Sequence, residues 1–197
     1  MPNLISFTDK GLYCEAGNFY IDPWLPVERA VITHGHSDHA RFGNQFYLCH
    51  KSTKPILQLR LGNNHYQTVE WNETIFMNGV KMSFHPAGHI IGSSQIRLEY
   101  QNEVWVVSGD YKREDDGISG KFDPVRCNAF ITESTFGLPI FQWKAQQEIY
   151  NDIINWITKN KENGRASILI AYSLGKSQRL LQALKETTQT IYAHGAI

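Results

Sequence analysis

The chain is short of cysteine, of long apolar runs and of net charge. Its three cysteines, Cys14, Cys49 and Cys127, lie far apart in 197 residues. Their number and spacing exclude a disulfide framework and a zinc ribbon, leaving free thiols. No run approaches the roughly 20 apolar residues that cross a bilayer. The opening MPNLISFTDKG has neither the basic start nor the apolar stretch of a secretory leader. A cytoplasmic protein with no membrane contact is therefore expected. Nineteen basic residues balance nineteen acidic ones, so bulk charge does not advertise a nucleic-acid binder. Internal repeats and low-complexity tracts are also missing.

What is present is enough apolar material for a core: 42% of residues are hydrophobic and 12% aromatic. That amount and the length fit one domain plus part of another. LISF, LYCE and FYID, separated by DKG and AGN, read as an antiparallel meander. ERAVIT is a strand that ends at His34-Gly35-His36, and DHARFGN after it begins a short helix. FYLCH is a strand and STKPILQLRLGN a helix, with a serine or threonine to cap it. VKMSFHP, SSQIRLEY, EVWVVSG and AFITES are four more strands. From Gln142 to Asn163, Ile149, Ile153, Trp156 and Ile157 fall at helical spacing, with Gly164 to end the helix. ASILIAY then reads as a buried strand and GKSQRLLQALKETT as a helix, a parallel α/β alternation. The domain change is expected between Gly137 and Trp143, dividing the chain into 1–140 and 141–197.

Chemistry concentrates in His34-Gly35-His36-Ser37-Asp38-His39. Residues two apart on an extended loop share a face, so His34 and His36 can meet one cation. A turn after them redirects Asp38 and His39 toward a second. Imidazoles with a carboxylate suit zinc, with manganese or iron as alternatives. A single histidine here would be read as a surface residue; three with an aspartate in six positions after a strand are a metal loop. His50, His65, His85 and His194 have no neighbours at ligand spacing. His85, four residues before His89, is the one of these placed to support the site as an outer hydrogen-bond donor. GKS at residues 175–177 is not a phosphate-binding P-loop, because Ile170 stands where that motif needs glycine. A helix starting there could still offer Lys176, Arg179 and free amides to a substrate phosphate.

THGHSDHA resembles the HxHxDH signature of the metallo-β-lactamase superfamily, and the other pieces follow in that superfamily's order. The resemblance implies an α/β (α+β) fold, the αββα sandwich. It makes Asp22 in FYID an orienting carboxylate that does not touch metal, His89 in PAGHIIGSS the histidine completing the first cation's set, and Asp110 in VVSGDY a bridge between two cations. Gly88 and Gly92 let the His89 loop approach closely. The metal set it implies is thus His34, His36, Asp38, His39, His89 and Asp110, holding two divalent ions, zinc first and manganese second.

AGHIIGS and ITESTFG resemble the β-CASP nucleases, whose acid in the second motif is Glu133 here. AYSLGKSQRLL is similar to the beginning of their inserted nucleic-acid-clamping domain. HPAGHIIGSSQ, SGDYKREDDGISGKFDPV and SLGKSQ look most like the bacterial ligase-associated DNA exonucleases. This implies phosphodiester hydrolysis with Asp38, Asp110 and Glu133 as the catalytic acids. The partner implied is nucleic acid, DNA ahead of RNA, with a DNA ligase or helicase as associated protein and DNA repair as the setting. Setting the four acids Asp22, Asp38, Asp110 and Glu133 aside leaves 15 against 19 bases, which favours a phosphate backbone. The rivals are an RNA-processing nuclease of the same group, a thioesterase of the same fold, and a silent scaffold. The group carries later histidine motifs with no counterpart before Ile197, so a fragment of a longer protein is expected. A native mass equal to 22.6 kDa would contradict that.

Overall fold

The computed structural model describes residues 3–185, 190–195 and 197. They fall into two compact units, Met1–Glu133 and Ser134–Ile197.

The first unit is two sheets face to face. One sheet runs β1 (Ser6–Thr8), β2 (Gly11–Cys14), β3 (Phe19–Ile21), β4 (Arg29–Val31), β5 (Phe46–His50) and β6 (His65–Val69), in that spatial order. Its first three strands are an antiparallel meander, and β3 to β6 are parallel. The other sheet holds β7 (Ile75–Met77), β8 (Val80–Pro86), β9 (Ser94–Tyr100), β10 (Glu103–Val107) and β11 (Ala129–Ile131). It is antiparallel except that β11 runs parallel to β10.

Alternation explains the layering. Phe19, Ile21, Val31 and Leu48 from the first sheet meet Val80, Met82, Phe84, Ile96 and Leu98 from the second in one buried cluster. The central parallel strands are covered on both faces, as such strands require. Ala30, Tyr47 and Cys49 point the other way and pack against Leu57 and Leu61 of helix α1 (Lys54–Leu61). The unit is therefore the helix-covered double sheet of the expected sandwich.

Two strands, β6 and β7, were not legible as strands. Both are edge strands: HYQTV is polar and half exposed, and IFM is only three residues long. Neither carries the apolar run that marks a buried strand. DHARFGN forms no helix; a single turn closes with the Ala40 amide donating to the His36 carbonyl at 2.8 Å. Side chains hold the stretch between this turn and β5, with Asn44 Oδ1 accepting from the Val27 amide (3.0 Å) and Tyr47 donating to the Arg41 carbonyl (2.8 Å). Thr53 stands at the N-cap of α1 but makes no capping hydrogen bond. Its hydroxyl goes instead to the Gly92 carbonyl, 2.8 Å away.

In the second unit α2 spans Gln146–Glu162 and α3 Lys176–Leu184. Ile149, Ile153 and Ile157 form a half-buried stripe on α2, and Gly164, at φ 68°, turns the chain after it. The end of the expected α3 helix, residues 186–188, lies outside the described residues. ASILIAY is not a strand: Ile168 and Ile170 are 80% and 95% exposed, and no strand among the described residues pairs with the segment. A strand needs a neighbour for its backbone groups, so the expected strand-helix alternation is absent here. No helix among the described residues is long and apolar enough to cross a membrane.

Candidate metal centre

The functional candidates converge where strands stop. Asp22 follows β3, Thr33 and His34 follow β4, Asp110 follows β10, and His89 sits in the loop from β8 to β9. The Ser94 amide donates to the Thr33 carbonyl at 2.8 Å, so the two sheets are joined beside the cluster. Gly109, at φ 55°, lies against Thr33; a Cβ there would come within 2.7 Å of the threonine hydroxyl. No other residue type lets the chain pass so closely and then present Asp110.

His34 Nε2 and His89 Nε2 lie 3.1 and 3.2 Å from His36 Nδ1. Asp110 Oδ2 is 3.8 Å from His34 Nε2 and 3.6 Å from His89 Nε2. Zinc with ligands at about 2.0–2.1 Å in a tetrahedron would separate them by about 3.3 Å. These four atoms bracket that spacing, so the residues fit one cation.

Asp110 Oδ1 faces the other way, 3.3 Å from His39 Nε2, and His39 Nε2 is 3.7 Å from Asp38 Oδ2. Asp110 thus has one oxygen toward the first group and one toward His39, while Asp38, 3.7 Å from His39, does not close with them into a group as tight as the first.

Asp22 stands behind the ligands. Its backbone is left-handed, φ 44°, which an aspartate tolerates better than most residues. Oδ1 accepts from the Thr33 amide (2.8 Å), while Oδ2 accepts from the Thr33 hydroxyl (2.5 Å) and His39 Nδ1 (2.7 Å). A hydroxyl that gives its hydrogen to Asp22 can only accept from His34 Nδ1, 3.0 Å away. Both imidazoles are therefore fixed with Nε2 turned to the cluster.

Electrostatics support ligation. Burial, followed by the neighbouring His39, His89, His36 and Arg60, holds His34 well below the usual imidazole range, so it is neutral as a ligand must be. Burial opposes charge on His39 too. The Asp110 and Asp22 hydrogen bonds and charges override it and push His39 up to about 10. Burial likewise opposes ionisation of Asp110, but the bond to His39 and the surrounding histidines leave its carboxyl below the usual range. A proton on His39 and a second cation compete for the same place.

Glu133, just after β11, accepts from the Tyr111 amide at 3.0 Å and so steadies the chain immediately after Asp110. His85 turns away from the cluster: Ser83 Oγ is 2.9 Å from its Nε2, and Asp123 is 3.9 Å from its Nδ1. The structure does not bring it to the metal ligands. Lys176 lies over the Tyr172 ring at 5.3 Å. The amides at the start of α3 are not free as expected: Gly175 donates to Gln178 Oε1 (2.5 Å), Lys176 to the Leu174 carbonyl (3.3 Å), and Ser177 to the Tyr172 carbonyl (3.1 Å). The Arg179 amide donates to the Gly175 carbonyl at 3.0 Å.

Sequence reasoning missed Thr33, Ser93, Thr53 and Arg60. Ser93 Oγ accepts from the amides of His89 (2.9 Å) and Ile90 (3.2 Å), shaping that loop. Thr33, next to His34 at a strand end, was the most findable. Nothing in the spacing of Thr53 and Arg60 connects them with the metal loops.

No family model matches the chain. It is 29% identical over 197 residues to a probable DNA ligase of Opitutus terrae, covering 98% of this chain and 19% of that protein. It is 30% identical over 122 residues to endoribonuclease ysh1 of Schizosaccharomyces pombe, covering 61% of the chain and 16% of that protein. It is 26% identical over 122 residues to the cleavage and polyadenylation specificity factor 73 of Drosophila melanogaster, covering 61% and 18%. The chain thus spans less than a fifth of each of these relatives. A solved structure, a protein of unknown function from Enterococcus faecalis V583, shares the fold at a TM-score of 0.59 and 12% identity, covering 82% of this chain and 45% of that one. The histidine loop, the double sheet and these relatives are together consistent with the β-CASP group of the metallo-β-lactamase superfamily.

Proposed function

We propose that this chain carries the metal-binding part of a nucleic-acid phosphodiesterase, and that the substrate is DNA, cut from an end. The observation that carries the hydrolase reading is the pair of donor groups sharing Asp110, with Oδ2 toward His34, His36 and His89 and Oδ1 toward His39. Two zinc or manganese ions bound there would supply Lewis acidity and a water ionised near neutral pH.

The chain's own residues do the rest. Asp110 sets the spacing of the two donor groups. Asp22 and Thr33 keep the His34 and His39 imidazoles in one tautomer and one orientation. Asp38, with its side chain 71% exposed, or the shared Asp110 orients the attacking water. Glu133 holds the turn after Asp110 through the Tyr111 amide and stands ready to support proton movement. Residues 141–197 supply the connecting helix and begin the inserted domain, and Lys176 and Arg179 are offered to the substrate backbone as side chains.

DNA is preferred because the relative matched over 98% of the chain is named a probable DNA ligase. The same name favours work beside a DNA ligase, with a helicase and a repair setting as further parts of the proposal. The second reading, an RNA-processing nuclease, is favoured by relatives named endoribonucleases and matched over 61% of the chain.

Matched end-labelled DNA and RNA strands, digested with zinc or manganese beside an Asp38→Ala/His39→Ala control, test both. A metal-dependent ladder from one DNA end, lost in the control, is expected. Cleavage confined to RNA would move the assignment to the second reading. Turnover of a thioester without cleavage of either polymer would overturn both.

A further inference from the structure

Helix α1 lies on the outer face of the first sheet, and Leu57 and Leu61 account for its packing there. Two other residues at its ends do something the packing does not require. At the N-terminal end the fully buried Thr53 spends its hydroxyl on the Gly92 carbonyl, 2.8 Å away, and leaves the helix uncapped by its side chain. Gly92 belongs to the loop that carries His89. It has φ +78°, and a Cβ on it would collide with Thr53. At the other end Arg60 Nη1 donates to the Gly35 carbonyl at 2.5 Å, between the ligands His34 and His36. Ile56, one turn earlier, closes on Gly35 so tightly that a Cβ there would stand 2.6 Å from its methyl. The Asp38 carboxylate acts on the same guanidinium.

The two loops held this way come from different sheets: His34 and His36 follow β4, and His89 precedes β9. We infer that α1 is a positioning element for the metal centre, with Thr53 and Arg60 setting the separation of the His34/His36 loop from the His89 loop. Neither residue is a ligand. Each fixes a backbone carbonyl close to one, so the donor atoms stand near tetrahedral spacing before a cation arrives. Preorganisation of this kind is felt as metal affinity, and losing an outer hydrogen-bond partner weakens binding by about 10- to 100-fold.

This rests on the metal reading of the site and not on the choice of substrate, so the test reads metal binding and no cleavage. The chelator-stripped chain is titrated with cobalt(II), whose visible bands report tetrahedral coordination, alongside Thr53→Val, Thr53→Ser, Arg60→Met, Arg60→Lys and, from the core between the sheets, Val80→Ala. Thermal melts in chelator run in parallel. Thr53→Val and Arg60→Met are expected to weaken cobalt binding by about tenfold or more and to alter the bands. Thr53→Ser should restore wild-type affinity, and Arg60→Lys should restore part of it. Val80→Ala should lower the melting temperature with little change in the affinity of the folded protein.

Unchanged affinity and spectra in Thr53→Val and Arg60→Met would overturn the inference. So would an affinity loss that Thr53→Ser fails to rescue and that tracks the fall in melting temperature, since that is the signature of plain destabilisation. If the valine and methionine variants do not fold, the serine and lysine variants decide by the same criteria. A wild-type chain that takes up no cobalt would overturn the metal reading and this inference together.

Discussion

The two units handle their apolar residues differently. In Met1–Glu133 every described strand has a partner, and the inward residues of both sheets close over one another. In Ser134–Ile197 the 17-residue α2 has no fully buried residue, and Ile168, Ile170 and Tyr172 stand in solvent. The first unit satisfies its own backbone and its own core. The second has the composition of a folded layer without, among its described residues, the neighbours that would bury it. A pattern of apolar residues predicts an element only when another element is there to receive it.

The contrast between the units should be felt most at the metal centre. Asp110→Ala removes a donor from both groups and should abolish two-metal binding and cleavage, a loss on the order of 100-fold or more for a shared ligand. Metal analysis and activity on the same sample check it. In the core, Phe84→Ala should cost about 3–5 kcal/mol, seen as a large fall in the denaturation midpoint.

A smaller effect comes from His39. Its pKa is raised from 6.5 to about 10 in the folded protein. Its contribution to stability without metal is therefore complete below about pH 6.5 and fades as pH rises through about 10. Chelator-treated protein should lose part of its melting temperature across that window, and His39→Gln should flatten the loss. Metal binding must displace the same proton, so affinity should rise with pH. Smallest of all, Ile170→Ala in the second unit should change stability by no more than about 0.5 kcal/mol. A cost of several kcal/mol there would mean that the segment is buried after all, and the contrast between the units would fall.

Much of the first unit was legible because its strands carry their own signals. Val80–Pro86 and Ser94–Tyr100 alternate cleanly, and HGHSDH announces its chemistry by density alone. The edge strands were hidden because half-exposed strands need few apolar residues. ASILIAY misled for the opposite reason: its apolar run speaks of burial, but burial depends on what packs against it. The donor atoms of His34, His36, His89 and Asp110 gather in space, His39 stands beside Asp110, and Asp38 lies 3.7 Å from His39, whereas His85 pairs with Ser83. Spacing along the chain places a residue near a site but does not say to which face of a strand its side chain turns. Thr33 and Arg60 were invisible as site residues because their roles are hydrogen bonds to a carboxylate and a carbonyl, which no spacing rule encodes.

The ligands of the first donor group also have an architectural meaning. His34 and His36 hang from the end of one sheet, His89 and Asp110 from the other, and Ser94 to Thr33 is a direct backbone bond between the sheets beside them. A cation held there would be a rivet through both layers. It would close the span of chain between residues 34 and 110, much as a cross-link does, and would bind only while the sheets are together. At a free concentration about a thousand times its dissociation constant it would add about 4 kcal/mol to the stability of the pair. Stripping such an ion would then loosen the join between the two sheets.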